Sequence, residues 1–296
     1  MNPRAAQVPR LLVGGMIAAG GLVILMRDLA VPMRSLSPDV LGALKGGALA
    51  ALATAVGTMP VLLARSFSQK VSDGLLGFGA GIMLAATSFS LVVPAIAAAR
   101  ASGAGPFGAS AIVGSAILLG MGFVILLDAL ARSEVSAYEA EHGKRRDSLR
   151  RAWLFVAAIA IHNLPEGLAI GVAYAGVDLA KAQGLATGIA LQDIPEGLVV
   201  AVTLRTVGYS RAWAALMGAA SGLIEPVAAV TGAVLIDITA GLLPWGLAFA
   251  AGAMLYVICH HVVPESHQHG HNRMASSTLV AGFVLMMVLD TALAVG

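Results

Sequence analysis

The sequence predicts an all-α polytopic membrane protein, with an eight-helix core and one extra N-terminal transmembrane helix. Hydrophobic residues make up 58% of the 296 residues and charged residues only 11%, whereas a soluble domain carries about 25% charged residues. The apolar residues fall into about nine stretches, each near the ~20 residues that a bilayer requires. The 35 glycines suit close packing of helices in lipid.

The first apolar stretch, at 10–27, is the shortest. Its core, "LLVGGMIAAGGLVILM", follows Arg4 and Arg10 and also fits the pattern of a secretory signal peptide. No A-x-A cleavage site follows it. We therefore expect a retained transmembrane helix within an N-terminal region at 1–38.

The other eight stretches form the predicted core domain, 39–296. Each is long enough to cross a bilayer as a helix. They are expected near 39–64, 74–98, 107–131, 152–177, 184–204, 212–237, 243–263 and 276–294.

The distribution of basic residues predicts the orientation. The polar segment 132–151 holds six of the 18 Lys and Arg residues and is expected to be a cytoplasmic loop. Nine spans then leave 13 basic residues on the inner side and five on the outer side. Because inner loops carry the excess of positive charge, we expect a plasma-membrane protein with a cytoplasmic N-terminus and an outside C-terminus.

Two internal repeats indicate how the core is built. "HNLPEGLAIGVA" at 162–173 and "QDIPEGLVVAVT" at 192–203 lie on consecutive predicted helices, which cross in opposite directions. At a larger offset, "GFGAGIML" at 77–84 matches "AFAAGAML" at 248–255. The pattern predicts an inverted repeat of 3+2+3 helices, which in transporters meets at a site near the bilayer midplane.

The spacing of the polar residues predicts a metal site. His162 and Glu166 are four residues apart and share one helix face. Gln192 and Glu196 repeat this spacing on the next helix. The predicted polar set at the middle of three consecutive helices comprises His162, Asn163, Glu166, Gln192, Asp193, Glu196 and Glu225.

Four carboxylates at this depth need compensation, because each costs roughly 2.5–3.5 kcal/mol at the centre of a transmembrane helix. One or two divalent cations would provide it. Imidazole, carboxylate and amide ligands without thiolate suit Zn²⁺, and also Cd²⁺, Fe²⁺ or Mn²⁺. We expect these ions as bound and transported species, with no cofactor, and the net charge of +2 indicates no nucleic-acid partner.

Five of the seven histidines lie close together near the C-terminus. We expect this segment to begin at the cytoplasmic end of a helix and to continue into a loop, where neutral imidazoles bind metal. It is a candidate release or regulatory site formed by His260, His261, Glu265, His267, His269 and His271.

The pair "HNLPEG" and "QDIPEG" resembles the metal-binding motifs of the ZIP (Zrt-, Irt-like protein) divalent-metal transporters, most closely the bacterial GufA-like branch. The resemblance covers about 39–296. It implies transport of zinc and related metals into the cytoplasm across the bacterial inner membrane, by elevator-like alternating access through a binuclear centre. It leaves the oligomeric state open, with a homodimer as one possibility.

The resemblance also implies two ligand sets. One ion would be held by His162, Glu166, Gln192 and Glu196, with Met83 from another helix. The other would be held by Asn163, Glu166, Asp193, Glu196 and Glu225. Many members of the family have histidine at the position of Gln192, which bears on metal preference.

Two other functions are alternatives to metal transport. A proton-coupled cation antiporter would use the buried carboxylates as proton carriers. An intramembrane metallohydrolase would need a motif such as H-E-x-x-H, which the sequence lacks. We therefore expect a protein that is not an enzyme.

Overall fold

The computed structural model describes residues 36–63, 68–142 and 147–293. Every regular element in these ranges is helical, and seven helical spans within them are long and apolar enough to cross a membrane. The predicted helix at 10–27 lies outside the described residues. The fold class, an all-helical polytopic membrane protein, is confirmed.

The described ranges contain twelve α-helices. Two π-helical turns, Ala86–Val92 and Ile258–Val262, join α3 to α4 and α10 to α11. The helices are α1 (Pro38–Thr58), α2 (Pro60–Leu63), α3 (Gln69–Ala85), α4 (Val93–Ala101), α5 (Pro106–His142), α6 (Asp147–Gly176), α7 (Leu179–Thr206), α8 (Arg211–Ser221), α9 (Ile224–Ile238), α10 (Leu243–Val257), α11 (Val263–His267) and α12 (Asn272–Leu293).

The charged segment 132–151 differs from the prediction of a loop. Helix α5 continues through it to His142, and α6 already begins at Asp147. The segment is rich in Ala, Glu, Lys and Arg, which have high helix propensity in water. Its charge therefore marks the end of the apolar span but not the end of the helix.

The helices form two bundles. In the first bundle, α6 packs against α9, α1 packs against α7, and α1 also packs against α9. In the second bundle, α3 packs against α12 and α5 against α10. The two bundles meet where α6 contacts α10 and where α7 contacts α3. Each pairing thus has a counterpart in the other half of the chain, as an inverted repeat requires.

Two glycines show this repeat at atomic distances. A Cβ atom placed on Gly81 would lie 1.9 Å from the carbonyl oxygen of Leu279, and one on Gly252 would lie 2.0 Å from that of Ile117. The two glycines are 171 residues apart, the offset seen in the sequence. Glycine at both positions lets the paired helices of the second bundle approach backbone to backbone.

The two π-helical turns also occupy matching positions in the repeat. Each is followed closely by a proline, Pro94 or Pro264, which lacks the N–H that would continue the regular ladder. In the first turn the hydroxyl of Thr87 donates to a carbonyl of the preceding helix at 2.7 Å. Such turns often accompany functional sites, and the second one carries two of the clustered histidines.

Candidate metal centre

The seven polar residues predicted at mid-helix are all buried. Their exposed fractions run from 0% for Glu166 and Glu225 to 8% for Glu196. No lysine or arginine is buried among the residues whose burial the structure describes. Four buried carboxylates without a basic partner carry a large desolvation cost unless a cation or protons compensate them.

The seven residues lie on three helices of the first bundle, α6, α7 and α9. Helix α6 carries His162, Asn163 and Glu166 and continues through Pro165. Helix α7 carries the second motif and likewise continues through its internal proline. Glu225 lies in the first turn of α9, which packs against α6.

The two amide side chains orient the carboxylates. Gln192 Nε2 donates to Glu166 Oε1 at 2.5 Å and also reaches Asp193 Oδ1 at 3.3 Å. Asn163 Nδ2 donates to the carbonyl of Ser221 at 3.1 Å and to Glu225 Oε1 at 3.2 Å. Both amides therefore turn their N–H groups towards protein acceptors and leave their oxygens for another partner.

Eight side-chain atoms at this place are buried and have no hydrogen-bond partner. Within the described part of the chain, all such atoms belong to the seven predicted residues. They are both ring nitrogens of His162, Asn163 Oδ1, Glu166 Oε2, Gln192 Oε1, Asp193 Oδ2, Glu196 Oε1 and Glu225 Oε2.

These unpartnered atoms have one chemistry in common. Each oxygen belongs to a carboxylate or an amide and offers a lone pair, and a neutral imidazole of His162 offers one more. Buried polar atoms are normally paired, so each exception needs an explanation such as a bound ion. Glu166, Asp193 and Glu196 offer oxygens within 4.8 Å of one another, an arrangement that can hold a cation.

Met83 lies at the edge of the centre. Its side chain is 3% exposed and borders a small cavity of about 20 Å³ together with Gln192 and Glu196. This helix, α3, belongs to the second bundle. Met83 therefore lies beside the candidate centre on a helix of the other bundle, and its role as a ligand stays a prediction.

The histidine-rich segment begins within the helical span Ala240–His267, which corrects the prediction that it begins at a helix end. His260 and His261 lie in the second π-helical turn, and the His261 ring centroid is 4.8 Å from that of His162. The centre therefore has a second imidazole beside it. Asp128 of α5 joins His260 and His261 in a group whose ligand atoms lie within 4.8 Å of one another.

Asp128 was missed in the sequence. The signal was present, because it is an acid inside the apolar run "FVILLDALA" of a predicted transmembrane helix. Its partners lie more than 130 residues away along the chain, so the motif spacing did not reveal them.

The remaining histidines lie at the end of α11 and in the connector that follows it, and they form separate contacts. His267 Nδ1 lies 2.9 Å from the carbonyl oxygen of Val263, and its Nε2 lies 3.0 Å from Ser276 Oγ. His269 and His271 contact the two carboxylate oxygens of Asp73 at 3.1 and 2.8 Å.

Asp73, in the first turns of α3, was also missed. Its side chain is fully buried, and it accepts a hydrogen bond from Gln69 Nε2 at 2.9 Å. We call Gln69, Asp73, His269 and His271 the Asp73 cluster. Glu265 is partly buried in α11 and belongs to neither of the two potential ligand groups found among the described residues.

The fold and the site together define a class of protein: a multi-pass helical membrane protein with a buried, anionic candidate metal centre. Residues 134–290 match the family model described as ZIP Zinc transporter. The chain belongs to the ZIP family, as the paired motifs indicated.

Curated relatives match along most of their length. The chain is 42% identical over 247 residues to Zinc transporter GufA of Myxococcus xanthus, covering 83% of this chain and 96% of that protein. It is 41% identical over 297 residues to Zinc transporter ZIPB of Bordetella bronchiseptica, covering 99% and 95%. Zinc transporter ZIP11 of Homo sapiens is 33% identical over 322 residues, covering 81% and 94%.

Proposed function

We propose that this protein carries zinc, and related divalent ions such as Cd²⁺, Fe²⁺ or Mn²⁺, across the bacterial inner membrane into the cytoplasm. The observation that carries the proposal is the set of eight buried, unpartnered atoms on these seven residues, namely six oxygens and the two ring nitrogens of His162. The names of the relatives, all zinc transporters, support zinc as the principal substrate. An antiporter that used only proton-carrying carboxylates would not need the imidazole and the two free amide oxygens.

The proposed centre holds two ions. Two divalent cations carry four positive charges, which equal the four negative charges of the buried carboxylates. Glu166 and Glu196 lie between the two ligand sets and serve both. The first ion is bound by His162, Glu166, Gln192 and Glu196, with Met83. The second ion is bound by Asn163, Glu166, Asp193, Glu196 and Glu225.

The division into two bundles supports elevator-like movement. Seven of the eight proposed ligands belong to the first bundle, in which α1, α6, α7 and α9 pack together. The second bundle contributes Met83 and the imidazole of His261 at the boundary. Sliding of the first bundle past the second would move the ions with their main ligands and would exchange only the boundary contacts.

The cluster of Asp128, His260 and His261 is the proposed next position for an ion that leaves the first set. The contact between the rings of His162 and His261 gives the ion a continuous row of ligands from the centre to this cluster. Glu265 and the more distant His267, His269 and His271 would act later, in release or in regulation by cytoplasmic metal. This direction of movement agrees with a cytoplasmic position of the α11–α12 connector.

The test is metal uptake by liposomes that contain the purified protein. We expect zinc to accumulate inside them, and we expect a Glu166→Gln/Glu196→Gln double variant to abolish accumulation. Asp237→Asn is the matched control, because this acid lies on α9 but accepts from Ser37 at the surface. Equal accumulation in protein-free liposomes and in those with native protein would refute the transport function.

A further inference from the structure

At one pair of positions that the repeat makes equivalent, the two halves of the chain carry different residues. The 171-residue offset pairs Glu225 with Thr54, and the 30-residue offset pairs Gly167 with Gly197. The contacts follow the same pairing. A Cβ atom on Gly167 would lie 2.5 Å from the backbone oxygen of Glu225, and one on Gly197 would lie 2.1 Å from that of Thr54.

Thr54 therefore lies at the position that corresponds, in the other half of the repeat, to that of Glu225, and it contacts the candidate centre from there. It is 1% exposed, and its hydroxyl oxygen lies 3.3 Å from Glu225 Oε1. The same hydroxyl also lies 3.2 Å from the carbonyl oxygen of Ala50. Because a hydroxyl has one hydrogen, it donates either to its own helix or to Glu225, and an ionised carboxylate is the stronger acceptor.

The two donors to Glu225 converge on one oxygen. Asn163 Nδ2 donates to Oε1 at 3.2 Å, and the Thr54 hydroxyl donates to the same atom. The other oxygen, Oε2, is buried and has no partner. Thr54 and Asn163 together thus fix the plane of this carboxylate so that Oε2 is free for a cation.

We propose that Thr54 is a positioning residue of the metal centre, and that its hydroxyl sets the affinity for the ion bound through Glu225. This inference rests on the proposed metal-binding function. A neutral hydroxyl at this position also keeps the number of carboxylates in the centre at four, which two divalent ions can neutralise. A fifth acid at the equivalent position would leave an uncompensated charge.

The experiment compares variants of the intact protein. Thr54→Val removes the hydroxyl at nearly constant shape, and Thr54→Ala removes it without adding a methyl group next to Glu225. Thr54→Ser keeps it. Thr58→Val is the matched control, because Thr58 is 3% exposed on the same helix and donates to the carbonyl of Ala55 at 2.8 Å, away from Glu225.

The readout is zinc affinity and stoichiometry of the purified protein. We expect Thr54→Val and Thr54→Ala to weaken the Glu225-dependent ion by roughly tenfold, which corresponds to about 1.4 kcal/mol. Thr54→Ser and Thr58→Val should bind zinc as the native protein does. Unchanged zinc binding in both hydroxyl-free variants would overturn the inference.

A second arm separates this inference from the two-ion proposal. Thr54→Val is combined with Glu225→Gln, and the same titration is repeated. If the hydroxyl acts through Glu225, Thr54→Val has no further effect in the Glu225→Gln background. An equal loss in both backgrounds would refute the positioning role. If the native protein binds a single ion, the binuclear centre is refuted. The same titrations would still measure the coupling between Thr54 and Glu225.

Discussion

The candidate metal centre and the Asp73 cluster both combine acid, amide and imidazole, but they differ in how their atoms are paired. The centre is buried throughout, whereas in the Asp73 cluster only the acid is buried and its partners reach the surface. In the Asp73 cluster, both carboxylate oxygens contact histidine nitrogens and one also accepts from Gln69. In the metal centre, each of the four carboxylates keeps one oxygen without a partner. The same side-chain chemistry therefore produces a satisfied network in one place and an unsatisfied one in the other.

This difference predicts a structural role for the Asp73 carboxylate and a ligand-binding role for the four carboxylates of the candidate centre. A carboxylate whose oxygens are all paired rigidifies the fold around it, and Asp73 ties the connector between α11 and α12 to the start of α3. Unpaired lone-pair atoms that converge on one point are costly without a cation. The comparison predicts that substitutions in the candidate metal centre reduce metal binding, whereas substitution of Asp73 reduces stability.

The largest effect is expected at the shared carboxylates. Glu166→Ala and Glu196→Ala should each lose both ions and abolish uptake, because each carboxylate belongs to both proposed ligand sets. Glu225→Ala and Asp193→Ala should lose one ion. The measurement is zinc stoichiometry at saturating metal. Retention of both ions by Glu196→Ala together with loss of both by Glu225→Ala would reverse the bridging assignment.

His162→Ala should abolish transport but leave insertion into the membrane intact. The change removes the imidazole with two unpartnered nitrogens and no protein hydrogen bond, so folding should not suffer. Uptake and the amount of membrane-inserted protein are measured in parallel. The variant of the neighbouring histidine, His261→Ala, is the comparison for His162→Ala. It should slow uptake while the zinc stoichiometry of the centre stays unchanged. Native uptake rates in His162→Ala would exclude it from the primary ligand set.

Asp73→Ala should act on stability and not on metal binding at the centre. It removes the acceptor of Gln69 and of two histidines, which water can replace in part because these side chains reach the surface. The expected cost is about 0.5–1.5 kcal/mol. The thermal unfolding midpoint of the purified protein should fall, while zinc stoichiometry remains that of the native protein. Loss of zinc from a folded Asp73→Ala protein would show that the two regions are not functionally separate.

The smallest effect is expected from replacing His267, His269 and His271 together. We expect a change in the rate of uptake, or in its response to internal metal, without loss of uptake. Replacing His260, His261 and Glu265 should slow transport more, because His261 contacts His162. A triple His267/His269/His271 variant as inactive as His162→Ala would contradict this order.

Local spacing in the sequence was sufficient to predict much of the site. Residues four apart share a helix face, so the two Pro-Glu-Gly motifs alone predicted which side chains point the same way. Their depth in apolar stretches predicted burial, and the offsets of 30 and 171 residues predicted the inverted repeat. These inferences depend only on helix geometry and on the cost of polar groups in lipid, which both operate within a single segment.

Contacts between distant segments were decided by the tertiary structure. Asp128 meets His260 and His261, Asp73 meets the α11–α12 connector, and Thr54 meets Glu225. The contacts of Asp128 and Asp73 have no characteristic spacing, because they depend on how distant helices pack. Thr54 and Glu225 are separated by the 171-residue repeat offset, but that offset alone did not show that the two side chains touch. Patterns within single segments thus predicted most of the membrane-spanning helices, the repeat and the candidate ligands. Packing decided which polar atoms found partners within the protein and which were left free to bind a cation.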